Sequence, residues 1–151
     1  MTPHPLDPWS LAAQQLLAQS DAYMASLYPA ESNHLEGPAE LAQPHVWFIG
    51  LTLDDQVVAC GAVKRMHDDG DYGEIKRVFV RPAYRGRGLS RTIMDVLETH
   101  LRSQACGCAR LETGIHQPEA LALYRRLGYV ERGPFGSYRP DPLSLFMEKR
   151  L

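Results

Sequence analysis

The sequence predicts an α/β protein (α+β in some schemes), with one mixed central β-sheet and helices packed on both of its faces. Three observations carry that expectation. Two apolar, partly alternating runs, HVWFIGLTL and QVVACGAVKRM, meet at Asp54-Asp55 and read as a hairpin. A third run, GEIKRVFV, passes through a turn rich in Gly and Arg into a helical pattern. A shorter strand-like run, a second helical pattern and two closing strands follow.

Taken in order, Asp7 and Pro8 read as an N-cap and first helical residue. Trp9, Ala13, Leu16, Met24 and Leu27 then recur at helical spacing up to Tyr28, and no strand is evident before Asp7. YPAESNHLEGPAE is a polar connection with a short helix over Pro38 to Ala42. After the hairpin, HDDGDYG turns the chain into GEIKRVFV, which ends before Pro82. From Gly88 a helix carries Leu89, Ile93, Val96, Leu97 and Leu101 on one face and should stop near Gly107. ARLETGI reads as a strand, and QPEALALYRRLGY as a helix with Pro118 in its first turn and Gly128 as its stop. YVERGPF and LSLFMEKRL are two final strands around a Gly- and Pro-rich loop. No repeat or linker divides the chain, so residues 1–151 read as a single domain.

Composition narrows the function. A formal charge of -2 does not suit a general nucleic-acid binder, so no nucleic-acid partner is expected and any anion site must be local. No apolar run approaches the roughly 20 residues of a membrane span. The opening MTPHPLDPWS lacks a basic segment followed by an apolar one, so no signal peptide is expected. Cys60, Cys106 and Cys108 form an odd set that fits reduced thiols and a cytoplasmic location. The CGC at 106–108 has no matching second ligand pair, so it reads as a helix-to-strand turn and no metal is expected.

The chemistry concentrates where GEIKRVFV meets the next helix. Arg81, Arg85, Arg87 and Arg91 gather around Gly86 and Gly88. A helix N-terminus offers unpaired N–H groups and the positive end of the helix dipole, and glycines let an anion approach the backbone. Pyrophosphate binding and a solvated turn both fit these residue types. A P-loop fits poorly, because the required Lys and Ser/Thr are missing. A dinucleotide fingerprint fits poorly too, because Arg91 stands where its third Gly belongs.

Arg85-Gly86-Arg87-Gly88-Leu89-Ser90 resembles the [Q/R]-x-x-G-x-[G/A] signature of the GNAT superfamily of acetyl-CoA-dependent N-acetyltransferases, with Ser90 replacing the final small residue. QPEALALYRRLGY resembles the later motif of that superfamily: Ala120, Leu123, Tyr124, Gly128 and Tyr129 match, and Gln117 stands where Asn is usual. The resemblance spans about Trp47 to Leu151. It implies the GNAT fold and direct acetyl transfer from acetyl-CoA to the amine of a small molecule or protein, without a metal or a covalent cysteine intermediate. Dimers are common in the family, so a homodimer is an open expectation. A non-catalytic acetyl-CoA-binding module is the competing reading.

The resemblance also assigns roles. Backbone groups of Val78, Phe79 and Val80 should pair with the pantetheine arm. N–H groups from Arg85 through Gly86, Arg87, Gly88 and Leu89 to Ser90 should hold the pyrophosphate, with the Arg85, Arg87 and Arg91 side chains adding charge and Gln117 close by. Tyr124 matches the tyrosine placed near the sulfur and is the candidate general acid; the competing reading is a core aromatic. Glu74 is the candidate base, ranked above Glu112, which strand alternation sets on the face opposite Leu111 and Thr113. Glu31, His34, Glu112 and Tyr138 are candidates for reading the acceptor, against ordinary loop polarity. Cys60 reads as inert packing.

Overall fold

A computed structural model describes residues 2–151. Its seven strands are β1 (Pro3–Pro5), β2 (Val46–Leu53), β3 (Gln56–Met66), β4 (Tyr72–Val80), β5 (Cys108–Gly114), β6 (Val130–Arg132) and β7 (Ser144–Arg150). The helices are α1 (Leu11–Leu27), α2 (Pro38–Leu41), α3 (Leu89–Ser103) and α4 (Pro118–Arg126). One sheet runs in the order β1-β2-β3-β4-β5-β7-β6, and every pairing is antiparallel except β4 with β5. The mixed sheet is the one expected.

The two faces bury different helices. α3 places Leu89, Ile93, Met94, Leu97 and Leu101 on one face, against Ile49, Val63, Ile75 and Leu111. α4 adds Leu121 and Tyr124 to the same cluster. On the other face, Ala13, Leu16 and Leu17 of α1 cover Phe48, Cys60, Ala62 and Phe79. Gly61 is needed where α3 crosses β3, because a Cβ there would lie 2.4 Å from a methyl of Ile93.

The amino terminus departs from expectation twice. Pro3–Pro5 is an edge strand on β2, where a residue without an N–H costs least. Its three residues carry no alternation that would announce a strand. α1 begins at Leu11: Ser10 Oγ accepts from Ala13 N–H, while Asp7 holds a preceding turn by accepting from Trp9 N–H. Trp9 is consequently exposed, and Leu17 and Ser20 take buried places beside Ala13 and Leu16.

The hairpin turn forms as read, with Asp54 and Asp55 both at positive φ, the geometry whose twist suits a two-residue connection. The carboxy-terminal strands are reordered, since β7 pairs with β5 and leaves the short β6 at the edge.

Candidate active site

The site begins with an irregularity in β4. Between Cys60 and Ala62 the β3–β4 register slips, so Arg77 and Val78 together face Gly61, and Arg77 adopts φ 57°. This is a β-bulge, which bends its strand and breaks the alternation of faces. Ile75 and Val78 pack with the α3 side, while Lys76 and Arg77 both turn to the α1 side. The buried Arg77 guanidinium donates to Glu36 O at 2.9 Å and to Asp21 Oδ1 at 2.5 Å, which fixes α1 and the loop after it against the bulge.

Beyond the bulge, β4 leaves its neighbour. β4 and β5 pair only from Gly73–Ile75 to Ala109–Leu111, so the later β4 backbone has no strand on its β5 side. A cleft of about 560 Å³ opens there between β4, the start of α3 and α4. Val78, Phe79 and Val80 form its strand wall.

At the mouth of the cleft, Gly86 and Gly88 take φ of 78° and 74°, a left-handed conformation that glycine adopts without strain. Gly88 is the N-cap of α3, with no side-chain cap and no acid in the first turn. The first N–H groups of a 15-residue helix are therefore left for a ligand. Leu89, Ser90 and Arg91 line the cleft here.

The arginines divide. Arg85 lines the cleft, donates to Val80 O at 3.2 Å and lies over the rings of Tyr23 and Phe79 at 5.2 and 5.7 Å. Arg91 and Arg126 also line it. Arg87 lies over the Tyr84 ring outside the lining, and Arg81 turns away to Val57 O. The sequence offered no signal for Tyr23 or Arg126, which look like ordinary helix-surface residues.

Deeper in, Gln117 caps α4 and accepts from the Tyr28 hydroxyl at 3.3 Å. That hydroxyl also accepts from His116 N–H at 3.0 Å and sits where a Cβ on Gly114 would be. Tyr28 thus ties the end of α1 to the β5–α4 junction, a role that nothing in the sequence announces. Tyr124 lines the same cleft, and burial, reinforced by the negative charge of Glu112, pushes its phenol up to about 12.

A second hollow of about 510 Å³ lies on the α1 side, between β3, β4 and the loops around His34 and Tyr138. Glu74 belongs to this hollow and not to the cleft of Tyr124. Its Oε2 accepts from the Tyr138 hydroxyl at 2.5 Å and lies 3.5 Å from Lys76 Nζ. Lys76 donates to Tyr138 at 2.8 Å and pairs with the buried Glu36 at 2.9 Å. Glu31, His34 and Tyr138 line the hollow, with His34 edge-on to the Tyr138 ring at 5.1 Å.

Glu112 lines neither cavity; it is the first β5 residue past the β4–β5 pairing, on the face opposite Leu111. It accepts from Ser144 Oγ at 2.8 Å, and burial raises its carboxyl above the ordinary range. Its charge acts on Tyr124 and Tyr28, and it feels His34, Lys76 and Glu74. The three cysteines take no part in either cavity: Cys60 is fully buried with its thiol pushed up to about 12. Among the described residues there is no group of His, Cys, Asp and Glu arranged to hold a metal, and no helix long and apolar enough to cross a membrane.

A sheet split between parallel strands, with an uncapped helix N-terminus at the opening and a buried phenol in its lining, defines a class: transferases that take an acyl group from a coenzyme A thioester. Comparison with known proteins gives the family. Residues 11–129 match the acetyltransferase (GNAT) family, and the chain belongs to it. It is 45% identical over 144 residues to an IAA acetyltransferase of Azospirillum brasilense, covering 95% of this chain and 94% of that protein. A crystal structure of a Klebsiella pneumoniae protein assigned as an acyl-CoA N-acyltransferase superposes with a TM-score of 0.82 at 36% identity, covering 99% of this chain and 97% of the other. The PaiA N-acetyltransferase of Thermoplasma acidophilum, solved with coenzyme A, shares the fold with a TM-score of 0.71 at 14% identity over the full length of both chains. The chain is an acetyltransferase of the GNAT family.

Proposed function

We propose that this enzyme transfers the acetyl group of acetyl-CoA directly to an amine, with Glu112 taking the amine proton and Tyr124 protonating the departing sulfur. The place of Glu112 at the split in the sheet, just past the last β4–β5 pair, carries this reading, because a base must reach the acceptor while the acid reaches the thioester.

The bare backbone of Val78 to Val80 suits the extended amide chain of pantetheine, which can pair with it as an added strand. The free N–H groups at the start of α3 suit the pyrophosphate, with Arg85 and Arg91 beside it. The acceptor enters from the hollow. Its nitrogen attacks the thioester carbonyl, the new C–N bond forms, and the C–S bond breaks. The amine proton passes to Glu112, and the Tyr124 proton passes to the sulfur.

The protonation states support these roles. A phenol raised to about 12 remains a donor throughout neutral pH. A carboxylate raised by burial accepts a proton more readily than an exposed one, yet must still be ionised to act. Glu74, already engaged by Tyr138 and Lys76, fits recognition and organisation of the hollow better than proton removal.

The test combines calorimetry with thiol release. Tyr124→Phe should bind acetyl-CoA with the parent Kd and release thiol about 10²-fold more slowly or worse. Tight acetyl-CoA binding by the parent without thiol release for any amine would instead identify a binding module.

A further inference from the structure

The second hollow carries more than a place for an amine. Most of its carboxylates are already satisfied by the protein. Glu74 accepts from Tyr138, Asp68 accepts from Tyr72 at 2.6 Å, and Asp141 accepts from Ser32 Oγ at 2.7 Å and from Leu143 N–H at 2.8 Å. The cations divide differently. Lys76 is consumed by Glu36, Glu74 and Tyr138. Lys64 is only partly exposed, comes no closer than 3.9 Å to Glu36 and makes no hydrogen bond. Arg139 lines the hollow with no ion pair or hydrogen bond among the described residues. Unengaged groups of both signs therefore face the hollow: Arg139 and the loosely paired Lys64 on one side, Glu31 and Asp68 Oδ2 on the other, a mixture that suits a ligand carrying both charges.

The hollow is also bounded. The Ser32–Asp141 hydrogen bond joins the two loops that wall it, and His34 meets Tyr138 from the facing loop. A volume of about 510 Å³ fits a small molecule better than a polypeptide running through.

We propose that the acceptor is a small zwitterionic amine, an amino acid or other aminocarboxylate, whose carboxylate is received by Lys64 and Arg139 while its amine reaches Glu112. This rests on the acetyl-transfer reading above and adds the acceptor class. The amine must lose its proton to react, whereas the carboxylate keeps its charge throughout, so the cationic pair works in binding. Arg139 can meet a carboxylate with two parallel N–H donors, and Lys64 adds a point charge from the floor.

The experiment uses the full chain, acetyl-CoA and matched pairs of amines that differ only by the carboxylate: L-phenylalanine with phenethylamine, L-leucine with isoamylamine, and L-tyrosine with tyramine. Thiol release should give a kcat/KM about tenfold or more higher for the carboxylate-bearing member of at least one pair. In that pair, Lys64→Met and Arg139→Gln should collapse the ratio towards one through KM, and Arg139→Lys should retain most of it. Equal or better turnover of the decarboxylated members would overturn the acceptor class while leaving acetyl transfer intact. So would a ratio unchanged in both charge-removing variants, or thiol release from none of the six amines by a protein that binds acetyl-CoA. Failure to bind acetyl-CoA would instead overturn the underlying reading and the proposal with it.

Discussion

Groups in both cavities feel the charge of Glu112, but the cavities are made of different material. The cleft exposes backbone that has no partner: a strand edge freed by the β4–β5 separation and a helix N-terminus left without a cap. Its charged side chains stand at the mouth, and two of the four clustered arginines turn elsewhere. The hollow is walled by side chains that hold one another, Glu36 to Lys76 to Tyr138 to Glu74, contributed by one strand and two separated loops. A backbone wall depends on the fold and on a few glycines, so most side chains around it can change without loss. A side-chain wall is rewritten by one substitution. On the proposed mechanism, acetyl-CoA, the shared half of the reaction, takes the cleft and the acceptor, the variable half, takes the hollow.

The largest test of the contrast is Tyr124→Phe, which removes one hydroxyl from the otherwise backbone-built cleft. The ring packing against Tyr129 survives, so fold and acetyl-CoA affinity should hold while kcat falls about 10²-fold or more. Parental turnover at neutral and alkaline pH would reduce Tyr124 to a core aromatic.

Next in size is Gly88→Val. A Cβ at Gly88 meets nothing within 4 Å, so the cost is conformational: a side chain at φ 74° costs about 1–2 kcal/mol, more when it is β-branched. The turn should relax away from the helix N-terminus, and calorimetry should show acetyl-CoA affinity about tenfold weaker with the acceptor kcat little changed. Undiminished affinity in the folded variant would break the claim that backbone geometry makes the phosphate site.

Glu74→Gln probes the other half. It weakens the acceptance from Tyr138 and the attraction to Lys76 at nearly constant volume, so KM for the acceptor should rise several-fold and the acetyl-CoA Kd should not move. A change in acetyl-CoA affinity would mean that the cavities are not separable in this way. The smallest expected effect is at Cys60, whose buried thiol, held protonated up to about 12, should resist alkylation in the folded protein while Cys108 reacts first.

The same contrast explains what the sequence could reveal. A backbone-built site demands glycine spacing at a strand-to-helix junction, so Gly86, Gly88 and the helix from Leu89 were legible, as was Tyr124 on its helix. The hollow was not. Glu36, Lys76 and Tyr138 are far apart in the chain and meet only because the bulge at Arg77 turns two successive β4 side chains to one face. Alternation alone would have put Lys76 and Arg77 on opposite faces. Before the bulge, regular register sets Glu74 on the face of Lys76, which is the face of the hollow. Ser10 displaced Asp7 as helix cap because both residue types cap equally well, and only the turn at Asp7 decides between them.

On the proposed mechanism Glu112, and not Glu74, is the base at the split in the sheet. The direct measurement is the pH dependence of kcat/KM between about pH 8 and about pH 5, using whichever of the six paired amines the parent turns over fastest. Acid withdraws the free amine and, at lower pH, protonates Glu112; because burial raises the Glu112 carboxyl, its loss begins above the ordinary carboxylate range. The logarithmic slope in the parent should therefore steepen from one towards two as pH falls. Glu112→Gln should be slow throughout and keep a slope of one, while Glu74→Gln should follow the steepening parental profile. A parental profile in Glu112→Gln, with the steeper limb lost in Glu74→Gln, would contradict the account.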